Sequence, residues 1–185
     1  MTAPFISVTD LAAALHRTID PDDALGEMAC DAASQVVRDY CRQHINLVTD
    51  DEVLLDGTDT DAIMLPELPI VEVGPVLVEG TALTTDEWTL GDPNVGILYR
   101  TPATSKWTLG RSNVEVTYTH GWSVSTPTGV PSSLRIVALY VAMRIWDQGI
   151  VNTEGVGGYS ASYSDSLITP MEKRIIDHYR QVHKG

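Results

Sequence analysis

An α+β chain is expected, with helices at both ends and a block of antiparallel strands between them. Three observations lead there. Apolar residues recur three and four apart over 25–40 and again over 134–146, the period of an amphipathic helix. They alternate one by one over 113–119, the period of a strand. Between 50 and 120, short apolar runs are punctuated by Gly, Pro, Asn and Asp, as in a succession of hairpins. The expected divisions are N-terminal helices over 1–49, a β-rich module over 50–122, and C-terminal helices with a Gly-rich loop over 123–185. The 185 residues fit one domain, or one domain with a modest insertion.

The elements follow in order. Ser7-Val8-Thr9-Asp10 reads as a capping box opening a short helix to about Arg17. In Asp20-Pro21-Asp22-Asp23, Asp20 is placed to cap a second helix and Pro21 to occupy its first position. Leu25, Met28, Ala29, Ala32, Val36 and Tyr40 then mark its apolar face, to about His44. Val53-Leu54-Leu55 and Ile63-Met64-Leu65 flank the polar stretch Asp56 to Asp61 and look like a hairpin. Ile70 to Val73 and Val76 to Val78 form a longer strand, made an edge or bulged strand by Gly74-Pro75. Glu79-Gly80 supplies a turn. Glu87 to Leu90 and Ile97 to Tyr99 flank Gly91-Asp92-Pro93-Asn94 as another hairpin. Asn113 to Thr119 is the clearest strand, which makes about six in all.

Helix returns after Val130-Pro131, with Leu134, Val137, Ala138, Val141, Ile145 and Trp146 on an apolar face that Gly149 ends. Residues 150–168 form a long polar connection, and a loop of that length is usually functional or mobile. Its second half alternates Tyr159, Ala161 and Tyr163 with serines and could form an extended arm. Thr169-Pro170-Met171-Glu172 is a second capping box. It opens a helix of about 14 residues with Met171, Ile175, Tyr179 and Val182 on one face. So short a helix is marginal alone in water, so it must dock on its own core or on another chain.

Composition narrows the function. Hydrophobic residues at 43% and charged residues at 20% exclude disordered, collagen and coiled-coil classes. No stretch of 18 apolar residues occurs, so no membrane span is expected. The first ten residues lack the basic and apolar regions of a secretory signal. With 25 acids against 12 Lys and Arg, the net charge of −13 argues against binding nucleic acid by counterion release. Acids concentrate in the strand block: residues 43–99 hold twelve and no Lys or Arg. Residues 170–185 are instead net positive, with Lys173, Arg174, Arg180 and Lys184. Cys30 and Cys41 lie ~16 Å apart on one helix, too far for a disulfide.

No motif names an enzyme. The acidic turn Asp56 to Asp61 has its glycine second and lacks the distant glutamate of a calcium loop, so it reads as a solvated hairpin tip. The five histidines show no metal-site spacing. His120 ends the clearest strand, where a catalytic base would fit, but a polar strand end is the plainer reading. Gly155-Val156-Gly157-Gly158 lacks the Lys of a phosphate loop and reads as a flexible hinge or a tight bend. No catalytic, cofactor-binding or metal residue is assigned.

Several phrases, in order, resemble the head-to-tail adaptor (connector) proteins of long-tailed, siphovirus-like phages, most of all those of actinobacterial phages. They are the helix Ala32 to Cys41, Val53-Leu54-Leu55-Asp56-Gly57, Leu65-Pro66-Glu67-Leu68-Pro69-Ile70, Val114 to Trp122 with its Tyr118-Thr119-His120-Gly121, Val130-Pro131, the loop Glu154 to Ser160, and the closing Thr169-Pro170 helix. Arg42-Gln43-His44 departs from the family's usual Gly-Trp after Tyr-Cys. The resemblance implies a helical core with an inserted, projecting antiparallel β module. It implies a ring of copies, generally twelve, beneath the portal protein, extending the DNA channel and giving a platform for the stopper or tail. Genomic DNA would pass without specific binding. The protein would reside in the virion neck, and in the host cytoplasm during assembly, with no membrane and no cofactor. Contacts to the portal and to neighbouring copies are expected from Val156, Gly157, Gly158, Tyr159, Met171, Ile175, Ile176, Tyr179 and Val182. Some acids of 50–92 are expected to face the channel or the next ring. The alternatives are another neck or tail-completion part (stopper or terminator) and, remotely, a small enzyme using His120.

Overall fold

The structure, a computed structural model, describes residues 2–123, 129–148, 153–156, 159–162 and 167–181. The chain divides into two compact units, residues 1–43 with 124–185 and residues 44–123. The first is built of helices and the second of strands, an α+β fold in which every pair of named strands is antiparallel.

In the helical unit, α1 (Val8–Leu15) opens on the expected capping box. The Ser7 hydroxyl accepts from the Asp10 amide at 3.1 Å and the Asp10 carboxylate accepts from the Ser7 amide at 2.9 Å. The cap of α2 (Ala24–Cys41) is Asp23, whose carboxylate accepts from the Gly26 amide at 2.7 Å. Asp20 closes the preceding turn instead, accepting from the Asp22 amide at 3.1 Å, so Pro21 precedes the helix rather than opening it. The helix ends at Cys41, with Arg42 left-handed at φ 56°, short of the expected His44.

The buried face of α2 differs from the expected stripe. Ala29, Cys30, Ala33, Ser34, Val37 and Cys41 are buried, whereas Leu25 and Met28 are 67% and 65% exposed. Small residues bring the helix axis close to α3 (Ser132–Gln148), which buries Leu134, Val137, Ala138, Val141 and Ala142. Bulky Leu25 and Met28 would hold the axes apart. Ser34 sews the N-terminal segment to α2, donating to the Cys30 carbonyl at 2.8 Å and accepting from the Phe5 amide at 2.9 Å. Cys30 and Cys41 are buried free thiols.

In the strand unit, β1 (Val48–Gly57), β7 (Gly110–His120), β3 (Ile70–Val78) and β4 (Thr81–Ala82) form one sheet in that order. A second sheet runs β2 (Ala62–Met64), β6 (Ile97–Arg100), β5 (Trp88–Leu90). The hairpin expected from Val53 to Leu65 is therefore not formed: β1 pairs with β7 and β2 with β6. Gly57 turns the chain out of β1, close under the Thr108 carbonyl, where no Cβ would fit. The bulge at Gly74-Pro75 is present: four residues of β3 (Val73 to Val76) face three of β7 (Tyr118 to Val116). Glu79 and Gly80 join β3 to β4 with φ of 50° and 77°, as a two-residue hairpin turn of the primed type requires. The core gathers Ile63, Leu65, Ile70, Val76, Leu98, Trp107, Val114, Val116 and Tyr118.

Two further elements belong to the helical unit's part of the chain. Where an extended arm is expected, β8 (Thr153–Val156) pairs with β9 (Tyr159–Ser162). Closing the chain, α4 (Pro170–Ile176) carries the expected capping box but runs seven residues, followed by a 3₁₀ turn over Asp177–Tyr179. It is half the expected length.

Candidate functional site

The residues expected to make contacts lie on β8, β9 and α4. Val156 and Tyr159 are register partners in the hairpin. Gly157, Gly158 and Val182 lie outside the described residues. On α4, Met171 is 74% exposed, Ile175 half-buried and Ile176 fully buried in its own unit. Tyr179 is half-buried, and its hydroxyl accepts from Ser133 Oγ at 3.1 Å.

Polar tethers hold this segment in place. Glu172, buried at the third position of α4, accepts from the Thr169 amide at 2.8 Å and from Arg144 Nη2 at 2.7 Å. Arg144 Nη2 also donates to the Leu167 carbonyl at 2.8 Å. Gln43 Nε2 donates to the Tyr179 carbonyl at 2.6 Å, and the Gln181 amide donates to the Cys41 carbonyl at 2.8 Å. The Tyr40 hydroxyl donates to the Asp177 carboxylate, which holds the phenol's pKa above its ordinary value. The Arg180 guanidinium and Lys173 ammonium stand over the Tyr40 ring at 5.3 and 6.0 Å. Arg144 and Gln43 were missed from the sequence. An arginine interrupting the apolar run Ile136 to Trp146 of α3 was the available signal for the first.

His120 is fully buried at the end of β7. Its Nε2 lies 3.1 Å from Asp51 Oδ2, and its ring lies 4.9 Å from that of Tyr118. Burial pushes the Tyr118 phenol well above its ordinary pKa. Gly121 follows with φ 88°, and a Cβ there would meet the Asn46 carbonyl oxygen at 2.3 Å. The His-Gly phrase thus closes the strand unit and offers no surface to a substrate. Asp56, in the acidic turn, accepts from the Ser112 amide at 2.6 Å, and Asp59 pairs with Lys106 at 3.4 Å. Among the described residues no three His, Cys, Asp or Glu side chains converge on a metal position.

A family model for the head completion proteins matches residues 5–182. The chain belongs to that family. The fold of this head completion protein is similar to chains in solved structures of gene transfer agent (GTA) particles. One is the neck of an empty GTA particle computed with C6 symmetry, at 16% identity and a TM-score of 0.62, covering 100% of this chain and 96% of that one. Another is the neck of a native GTA particle computed with C12 symmetry, at 17% and 0.57, covering 100% and 98%. A third is the virion of the native particle, at 14% and 0.54, covering 97% and 92%. No curated protein sequence matches the chain.

Proposed function

We propose that this head completion protein acts as the head-to-tail adaptor of a virion: a ring of copies, twelve by analogy, seated beneath the portal protein. The ring extends the DNA channel and offers a platform to the stopper or tail. In this reading the helical unit is the ring-forming body, and the strand unit is the added module. The observation that carries it is the family match, which spans both units from residue 5 to 182. The segment from Val156 to Tyr159, with Met171, Ile175, Tyr179 and Val182, meets the portal and neighbouring copies. Ile176, already buried, serves the chain's own core.

The role is structural rather than catalytic. The remote enzyme reading depends on His120, which has no exposed surface and is occupied by Asp51. The strand unit's acids keep exiting DNA from sticking, and some of those over 50–92 face the channel or the next ring. An assembled neck with all of them on its outer surface would overturn that part.

The test is native mass of the purified chain with portal rings of the same particle. A portal complex carrying many copies is the expected result. Intact portal that takes up no copies would move the chain to a stopper or tail-completion role.

A further inference from the structure

Two surfaces of opposite charge have no ion-pair partner among the described residues. The first lies on the four-stranded sheet, on the face turned away from the core. Glu52 sits opposite Thr117, Glu72 opposite Thr119, and Leu54 and Leu77 flank Glu115 across the ladder. Residues 115, 117 and 119 share one face of β7, because side chains alternate along a strand. Three glutamates, Glu52, Glu72 and Glu115, therefore stand on one face with Leu54, which is 62% exposed. None has an ion-pair partner among the described residues.

The second surface lies on α4 and its 3₁₀ turn. Lys173, Arg174 and Arg180 have no carboxylate within ion-pair distance among the described residues. The nearby Asp177 carboxylate is engaged by Tyr40. Met171 lies one turn before Arg174 and is 74% exposed. Three cations without a carboxylate, two of them standing over the Tyr40 ring, thus answer three carboxylates without a cation.

We infer that the α4 surface of one copy docks on the outer sheet face of the next copy. The inference rests on the ring reading and names the contact that closes the ring. A ring needs unlike patches meeting head to tail, since a like-on-like contact stops at a dimer. Residues 44–123 hold thirteen acids against Arg100, Lys106 and Arg111, so copies repel unless cations meet that surface. Three cations on a chain of net charge −13 are too few to hold DNA.

The test counts copies on portal rings by native mass at low and high salt. Variant A carries Lys173→Glu, Arg174→Glu and Arg180→Glu. Variant B carries Glu52→Lys, Glu72→Lys and Glu115→Lys. Circular dichroism and melting confirm that both fold. Each alone sets like charges against each other, and filling of the ring should fall at least tenfold in apparent affinity. An equal mixture of A and B restores opposite charges at every contact and should restore filling, as should one chain carrying all six changes. High salt should weaken wild-type filling. Undiminished filling by A or B overturns the contact while leaving the adaptor role intact. Loss in A that neither the mixture nor the sixfold chain repairs also overturns it and directs the cations to the portal. Wild-type chain that never loads refutes the ring reading, and this contact with it.

Discussion

Removing one carboxylate tests how the C-terminal segment is held. In Glu172→Ala, two functions disappear together. The Thr169 amide loses its acceptor at 2.8 Å, half of the capping box, and a lost cap costs about 1 kcal/mol. Arg144 loses its 2.7 Å partner while its side chain stays 25% exposed. Breaking a fully buried pair costs about 3–5 kcal/mol. Here the arginine keeps the Leu167 carbonyl and some water, so about 2 kcal/mol is the better figure. The sum is about 3 kcal/mol, roughly a hundredfold in an opening equilibrium.

The opening should be local, since α4 has seven residues and only Glu172 and Ile176 buried. Hydrogen exchange read on peptides covering 168–181 should lose about two orders of magnitude of protection, with β7 unchanged. Glu172→Gln retains an acceptor for Thr169 and a neutral bond to Arg144, and should cost about 1 kcal/mol. Exchange in Glu172→Ala within threefold of wild type would refute the reasoning. So would a Gln variant as damaging as the Ala one.

Three further outcomes are expected. Gly121→Ala should cost at least about 2 kcal/mol in urea unfolding, because φ is 88° and the new Cβ meets the Asn46 oxygen at 2.3 Å. Gly80→Ala, equally left-handed but in open space, should cost only about 1 kcal/mol, and equal losses would contradict the crowding argument. Burial pushes the Cys30 thiol up to about 11 and Cys41 up to about 12. Unfolded thiols ionise first, so this contribution is complete below about pH 8.5 and declines as pH rises towards those values. Urea midpoints should fall between pH 8 and 10, and Cys30→Ala with Cys41→Ala should flatten that slope. A slope unchanged in the double variant would rule the thiols out. On α2, Leu25→Ser with Met28→Ser should change stability by less than about 0.5 kcal/mol, whereas Ala33→Leu should cost about 1–3 kcal/mol. The reverse order would show that the buried face has been misassigned.

Local signals carried much of the fold. Capping boxes at Ser7 and Thr169, the bulge at Gly74-Pro75 and the alternation of β7 each rest on residues close in sequence, and all are present. Long-range choices were less legible. The segments Val53 to Leu55 and Ile63 to Leu65 are apolar and turn-linked, so a hairpin was the local solution. β7 instead offers β1 the facing pairs Val53 with Val116 and Leu55 with Val114. Periodicity on α2 located a helix but not its buried side, because it weighs bulk and ignores how closely small residues let helices approach. At the candidate site, Met171 was legible as an apolar residue on a short amphipathic helix. The Tyr40–Asp177 and Gln43–Tyr179 contacts span more than 130 residues, and no sequence spacing encodes them.

The tethering of α4 has a consequence for assembly. A seven-residue helix with one fully buried aliphatic side chain, Ile176, draws little stability from burial or from its own hydrogen bonds. It stays in place because Arg144 of α3 holds its start and Gln43, just past the end of α2, holds the 3₁₀ turn that follows it. Such an element presents Lys173, Arg174 and Met171 in fixed positions, yet it opens more readily than the sheet. A partner that binds only the closed form must then close it further, by mass action. Loading onto a portal ring should therefore raise exchange protection across 168–181 far more than across β7. Equal gains in both regions would mean that assembly rigidifies the whole chain and that α4 is not the part that docks.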